Sequence, residues 1–265
     1  MSNNINNNIL TFENYLVDQI PEAENFQPSS IPEKTKIITN LQQRNNVGWD
    51  NIPTTILKYN INILTPILFN LINQSLQWGS SPGPTERAKI LPIFKNKDTL
   101  DITNYGPTSI LPVISKVYEK GFYNRLYNYY SVNNLLSSSQ FGFRSGAGTE
   151  HALLNFSDDI LKLIDKKKVA IATFMDLSKA FDCVDHNILL SKVKRYGIHE
   201  TALQWINSYQ SDREDFVYWN QTHSTSLNPN KDVPQGSILG PLLLLIYIND
   251  TINSTNILSF VLFAS

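Results

Sequence analysis

One stretch, residues 169–177 (Val-Ala-Ile-Ala-Thr-Phe-Met-Asp-Leu), constrains this chain more than any other. It is an apolar run bounded by Lys166, Lys167 and Lys168 on one side and by charge on the other, the pattern of a strand buried on both faces. A strand of that kind satisfies its backbone only through neighbouring strands, so the rest of the chain must supply a sheet and a layer to cover it. It also delivers a carboxylate, Asp176, to its end. With 265 residues, 42% hydrophobic and 17% charged, the chain has material for a large core and is not a disordered polymer.

Helical spacing dominates the first half. Residues 1–45 read as an Asn-rich, partly disordered leader carrying one or two short amphipathic pieces. Leu57, Ile61, Leu64, Leu68, Leu71 and Ile72 then predict one or two buried helices over residues 54–78, kinked at Pro66 and stopped at Gly79. Residues 87–94 alternate into a strand ending at Lys95. A helix is expected over residues 112–130 through Val113, Val117, Phe122 and Leu126, weakened by Gly121 by about 1 kcal/mol relative to alanine. Another, residues 152–165, should bury Leu153, Phe156, Ile160 and Ile164 and end in the lysine run, where positive charge suits a helix C-terminus.

In the second half a helix at 187–196 closes at Gly197, and a hairpin is expected from 216–220 through Asn228, Pro229 and Asn230. A helix at 237–249 and a second buried strand at 257–264 follow. Helices first and strands mixed with helices afterwards give an α+β fold. The apolar stretches 238–248 and 257–264 fall short of the roughly 18–20 residues that cross a bilayer, and the N-terminus lacks the pattern of a secretory signal, so the expected location is intracellular. A single cysteine, Cys183, allows no intrachain disulfide and reads as a small buried filler. The net charge of −1 lacks the basic bias of a stand-alone nucleic-acid binder, so any phosphate site must be local.

Several catalytic templates fail. No P-loop is present, Gly146-Ala147-Gly148 lacks a third glycine, and Gly236-Ser237-Ile238-Leu239-Gly240 misplaces the serine of a nucleophile elbow. His151, His186, His199 and His223 form no metal-binding pair, so a metal would need oxygen ligands. A carboxylate at the end of a buried strand needs a metal, a cation or several donors beside it, which singles out Asp176. For Asp185, just ahead of the 187–196 helix, an N-cap is the better reading.

Four segments then fall into a pattern: Asn104-Tyr105-Gly106-Pro107, Ser139-Gln140-Phe141-Gly142-Phe143-Arg144, Phe174 to His186 around Asp176, and Val233-Pro234-Gln235-Gly236-Ser237-Ile238-Leu239-Gly240-Pro241. In this order, over residues 47–264, they resemble the reverse transcriptase domain of non-LTR retrotransposons of the LINE and jockey type. The resemblance implies a right-hand polymerase, with residues 46–168 as a fingers-like lobe, residues 169–265 as a partial palm, and no thumb. It implies nucleotidyl transfer to a DNA primer on an RNA template with dNTPs as substrates. It also implies Mg²⁺ held by Asp176 together with two aspartates of a later motif. Phe181 would be the steric gate against a 2′-hydroxyl, Gln235 and Gly236 would contact nucleotide and template, and Lys95 would meet the triphosphate. Gly106 stands where the family carries arginine, and Phe263-Ala264-Ser265 stands where it carries phenylalanine-alanine-aspartate-aspartate. The expectation is therefore a truncated polymerase without activity. A second reading is a degenerate remnant touching nucleic acid weakly through Arg87, Lys89, Lys95 and Arg144. If the palm reading holds, Asp176 and Ser265 lie on adjacent antiparallel strands, and Phe181, Gln235 and Lys95 share the cleft of Asp176.

Overall fold

The computed structural model describes residues 20, 22–23, 26–43, 46–83 and 86–264. Among these residues the fold is an α+β arrangement of eight α-helices around a small mixed sheet. The helices are α1 (Ile31–Asn40), α2 (Thr54–Tyr59), α3 (Ile61–Trp78), α4 (Val113–Val132), α5 (Thr149–Asp165), α6 (His186–Arg195), α7 (Glu200–Ser211) and α8 (Gly240–Ile248). The strands are β1 (Arg87–Phe94), β2 (Tyr105–Ile110), β3 (Glu214–Trp219) and β4 (Thr222–His223), in the order β2-β1-β3-β4. β1 runs antiparallel to β2, with Phe94 opposite Tyr105, and parallel to β3, with Arg87 opposite Glu214.

The core is helical and draws on both halves of the chain. Phe122 of α4 stacks on Trp205 of α7 with centroids 3.9 Å apart, and Trp205 stacks in turn on Tyr209. The indole Nε1 of Trp205 donates to Ser75 Oγ of α3 at 2.8 Å, so the buried ring has no unsatisfied donor. α1, the amphipathic piece within the leader, packs Ile37 and Ile38 against α3 and α4. Gly121 proves to be a spacer: a Cβ there would lie 2.7 Å from Lys34 Nζ of α1. The missing side chain lets the two helices approach.

Several expectations need correction. The 54–78 segment does form two helices, parted at Asn60, whose side chain bonds back to the Ile56 carbonyl, and Pro66 lies inside α3 on its exposed face, where water can serve the carbonyl that proline leaves without a donor. Gly79 does stop that helix, in a left-handed conformation. The hairpin turns at Asn220 and Gln221, both at positive φ as a type I′ turn requires, and not at residues 228–230. α8 begins only at Gly240, because residues 237–239 form the turn ahead of it. Cys183 is exposed: it ends a run of turns over 178–183, and Val184 takes the buried place.

The largest correction concerns residues 169–177, which are irregular and exposed and are not a buried strand. Phe174 is 84% exposed and Ile171 91%. Among the described residues no backbone hydrogen bond joins this segment to another strand, and a lone strand has no means of satisfying its polar groups except water. With no sheet to cover, α5 buries only Ala152 and leaves Leu153 and Ile164 in solvent. Residues 257–264 form no strand either, beyond one bridge between Gln140 and Leu262.

Candidate functional site

The sequence-expected site residues divide into a group that the fold gathers and one that it leaves apart. Lys95 follows β1, held where its amide donates to Asn104 O at 2.9 Å. Its side chain runs across β2 over Gly106, where a Cβ would overlap Lys95 Cε. Any side chain at position 106 would displace this lysine.

Next to it lies Asp182, half-buried. Burial and the Asp232 carboxylate raise its pKa, against the opposing pull of Lys179 and Lys95. Asp232 is fixed by Arg213, a fully buried guanidinium that donates to Asp232 Oδ1 at 2.7 Å and Oδ2 at 3.2 Å and to Asp215 at 2.8 Å. A bidentate fork holds a carboxylate in both position and orientation. His186 Nε2 meets the Asp232 carbonyl at 2.8 Å. The loop carrying Asp232 is stitched to the segment carrying Phe181: the Val233 amide donates to Phe181 O at 3.0 Å and the Asp232 amide to Val184 O at 2.8 Å. The Phe181 ring is partly buried, edge-on to Phe143 at 6.1 Å.

The same loop continues into Gln235 and Gly236, both exposed. Gln235 O accepts the Ser109 amide of β2 at 2.8 Å. Gly236 has φ +114, and a Cβ on it would lie 2.7 Å from Ser109 O, so both conformation and space demand glycine here. Beyond the turn, Glu119 of α4 accepts the amides of Ile238 and Leu239 at 2.5 and 3.3 Å, together with Ser115 and Tyr209 hydroxyls. Burial raises its pKa, and these hydrogen bonds oppose the rise. A cavity of about 890 Å³ between α1 and α4 opens beside Gly236, with Lys36, Lys116 and Lys120 on its wall. Lys95, Phe181, Gln235 and Gly236 thus come from three separate stretches onto one framework of β2 and the 231–238 loop.

Asp176 is the exception. It is exposed and makes no hydrogen bond or ion pair among the described residues, and its neighbour Phe174 leans on Phe156 of α5 at 5.6 Å. The expected pairing of strands around Asp176 and Ser265 is not seen. Residue 265 lies outside the described residues, and the stretch before it pairs elsewhere: Leu262 N donates to Ser139 O at 2.8 Å and Phe141 N to Leu262 O at 2.9 Å. Gly142 packs directly on Ala264. No group of three His, Cys, Asp or Glu among the described residues is placed to hold a metal ion, so the donor set present does not fit Mg²⁺.

Asp185 is the cap of α6, accepting the Asn187 and Ile188 amides at 3.0 and 3.3 Å. Of the cations in the nucleic-acid-contact reading, Arg87 lies over Trp49 and Phe216, Lys89 over Tyr218, and Arg144 donates to Ser137 O. Sequence reasoning missed Asp182, Asp232 and Arg213 as one cluster. The only signal was Asp232 standing just before Val233-Pro234-Gln235-Gly236, while the arginine comes from the short link between α7 and β3, 19 residues earlier. No helix among the described residues is long and apolar enough to cross a membrane.

A sequence profile of the reverse transcriptase (RNA-dependent DNA polymerase) family matches residues 94–264. The chain is 32% identical over 233 residues to the "Probable RNA-directed DNA polymerase from transposon BS" of Drosophila melanogaster, an alignment covering 85% of this chain and 25% of that protein. It is 31% identical over 230 residues to the RNA-directed DNA polymerase from mobile element jockey of Drosophila funebris, with the same two shares. For the jockey polymerase of Drosophila melanogaster the figures are 29% over 242 residues, 90% and 26%. The chain spans about a quarter of the length of these relatives.

Proposed function

Because this chain belongs to the reverse transcriptase family, in its non-LTR retrotransposon branch, we propose that it forms the nucleotide-facing part of an RNA-directed DNA polymerase. In this reading residues 46–168 serve as fingers and residues 169–265 as the front of the palm, receiving a dNTP opposite an RNA template beside a DNA primer. The observation that carries it is the convergence of Lys95, the Phe181 segment and the Gln235–Gly236 turn on one framework.

Lys95 presents a compact, strongly hydrated charge to the triphosphate. It lies over Gly106, so the space an arginine side chain would need at that position is taken by the lysine itself. Phe181, braced by Phe143 and by the Val233 hydrogen bond, has the rigidity a ring needs to discriminate against a 2′-hydroxyl. Gln235 and Gly236 offer an amide side chain and an unobstructed backbone to the base pair. Asp176 is the carboxylate this proposal assigns to catalysis, and the described residues bring no second carboxylate beside it.

The test is binding of a fluorescent dATP analogue to the chain in the presence of an RNA template annealed to a DNA primer. Lys95→Ala should weaken binding about tenfold, the loss of one charge-assisted contact, and Gln235→Ala by less. Unchanged affinity in both variants would remove the nucleotide assignment while leaving family membership intact.

A further inference from the structure

Lys34 of α1 is fully buried, and its Nζ has no hydrogen-bond partner among the described residues. The amine end lies on the contact between α1 and α4, beside Gly121, whose missing side chain lets the two helices approach. A lysine taken out of water with nothing to pair with is driven toward its neutral form. Burial is the main cause that brings its pKa down to about 7, Arg125 of α4 adds to it, and Glu33 beside it on α1 opposes. The other charges on the surrounding helices offer it no partner. α3 has no ionisable side chain, Lys58 is the one charge on α2, Glu119 of α4 is engaged with the Ile238 and Leu239 amides, and Lys36, Lys116 and Lys120 line the cavity beside Gly236.

The helix that carries this lysine is built to move separately from the sheet. Irregular chain precedes it over residues 26–30 and follows it over residues 41–43 and 46–53. Its attachments are local: the Ser29 amide donates to Asn73 Oδ1 of α3 at 2.8 Å, Arg125 forks onto Glu33 at 3.0 and 3.1 Å, and Ile37 and Ile38 are buried against α3 and α4. None of these bonds reaches β1, β2 or β3. The outer side of the same helix supplies Pro32, Glu33, Lys36, Ile37 and Asn40 to the wall of the cavity that opens at Gly236. Loosening α1 therefore opens that cavity on one side and leaves the rest of the fold standing.

We infer that α1 is a proton-sensitive strap over this cavity, closing on α3 and α4 when Lys34 gives up its proton and loosening when the lysine takes one up. The direction follows from the two states. With α1 undocked, Lys34 is in water and keeps its proton up to about 10.5, while docked it keeps it only up to about 7. Below 7 both states hold the proton, so docking is at its weakest and does not vary with pH. Above 7 docking releases the proton, and each further pH unit favours the closed helix about tenfold. The strap does not rest on the nucleotide assignment, since neither its cause nor its readout involves dATP.

Hydrogen exchange of the 265-residue chain between pH 6 and 9, read by mass spectrometry over residues 31–40 and expressed as protection relative to the unfolded chain at each pH, tests this. Protection of α1 should be level below about pH 7 and then climb toward a tenfold gain per pH unit. Lys34→Met, an unbranched apolar side chain of similar length, should protect α1 more strongly at pH 6 and lose the climb. Lys34→Arg, which keeps its charge throughout this range, should lower protection and also show no climb. Residues 200–211 of α7 are the internal reference and should not rise with α1. Protection of α1 that stays level in the unaltered chain, that climbs equally in Lys34→Met, or that α7 follows in full would overturn the inference.

Discussion

The stack Phe122–Trp205–Tyr209 and the run at residues 169–177 are similar in composition and opposite in fate. Both are rich in apolar and aromatic groups, but the stack is buried among α3, α4 and α7 with its indole N–H and its phenol O–H both hydrogen-bonded, whereas the run faces water with no interstrand backbone hydrogen bond among the described residues. Hydrophobicity alone did not decide between them. The stack sits on helices that satisfy their own hydrogen bonds and need only a neighbour to pack against. The run is strand-like and needs a partner for its backbone before it can bury anything.

The sharpest way to break this contrast is truncation on each side. Trp205→Ala should cost about 3–5 kcal/mol in urea unfolding, since it opens a cavity and removes the donor to Ser75 Oγ, while Phe174→Ala should stay within about 0.5 kcal/mol. Comparable losses at the two sites would show the run to be packed.

The buried side also holds two charges that titrate against the fold. Lys34 is fully buried without a hydrogen-bond partner, and burial, with Arg125 nearby, lowers its pKa to about 7. Glu86, buried with both oxygens unpartnered, is raised to about 9 by burial, then by Asp212 and Glu119. For the lysine the folded value lies below the unfolded one, so the folded state binds fewer protons and stability rises with pH from about 7 toward 10.5. For the glutamate the folded value lies above, and stability falls as pH rises from 4.5 toward about 9. Between pH 7 and 9 the slopes oppose one another. Lys34→Met should stabilise the chain by a few kcal/mol at pH 7 and leave a falling profile, and Glu86→Gln should leave a rising one, both read from urea midpoints across pH.

The smallest effect is local. Asp185→Ala removes the acceptor for two amides at the start of α6 and should cost about 1 kcal/mol, with Asp185→Asn restoring most of it. A loss confined to α6 by hydrogen exchange would show that this helix end answers to its cap and not to the unpaired run that precedes it.

Where the sequence was legible, a local rule and the tertiary context agreed. β1 covers the predicted residues 87–94, Gly79 ends α3 in a left-handed turn, and Asp185 caps α6. β2 was missed because Gly106 and Pro107 argue against a strand, yet β2 is at the sheet edge, where proline is tolerated. The hairpin was misplaced because Asn228-Pro229-Asn230 is the stronger turn signal by composition, while Asn220 and Gln221 have the backbone that matches strand twist. At the candidate site, Lys95, Phe181, Gln235 and Gly236 were readable from motifs. The Arg213–Asp232 fork that steadies them was not, since it joins the link ahead of β3 to a later loop, and their proximity exists only after folding.

The Gln235–Gly236 turn is tied at both shoulders, to β2 through Ser109 and to α4 through Glu119. It therefore cannot swing as an independent flap. Any movement that widens the space beside Gly236 has to carry the edge of the sheet and a long helix with it, which makes the turn a rigid gauge of the distance between them. A molecule seated there would be measured against a fixed jaw, and strain applied at either shoulder would be felt at the other.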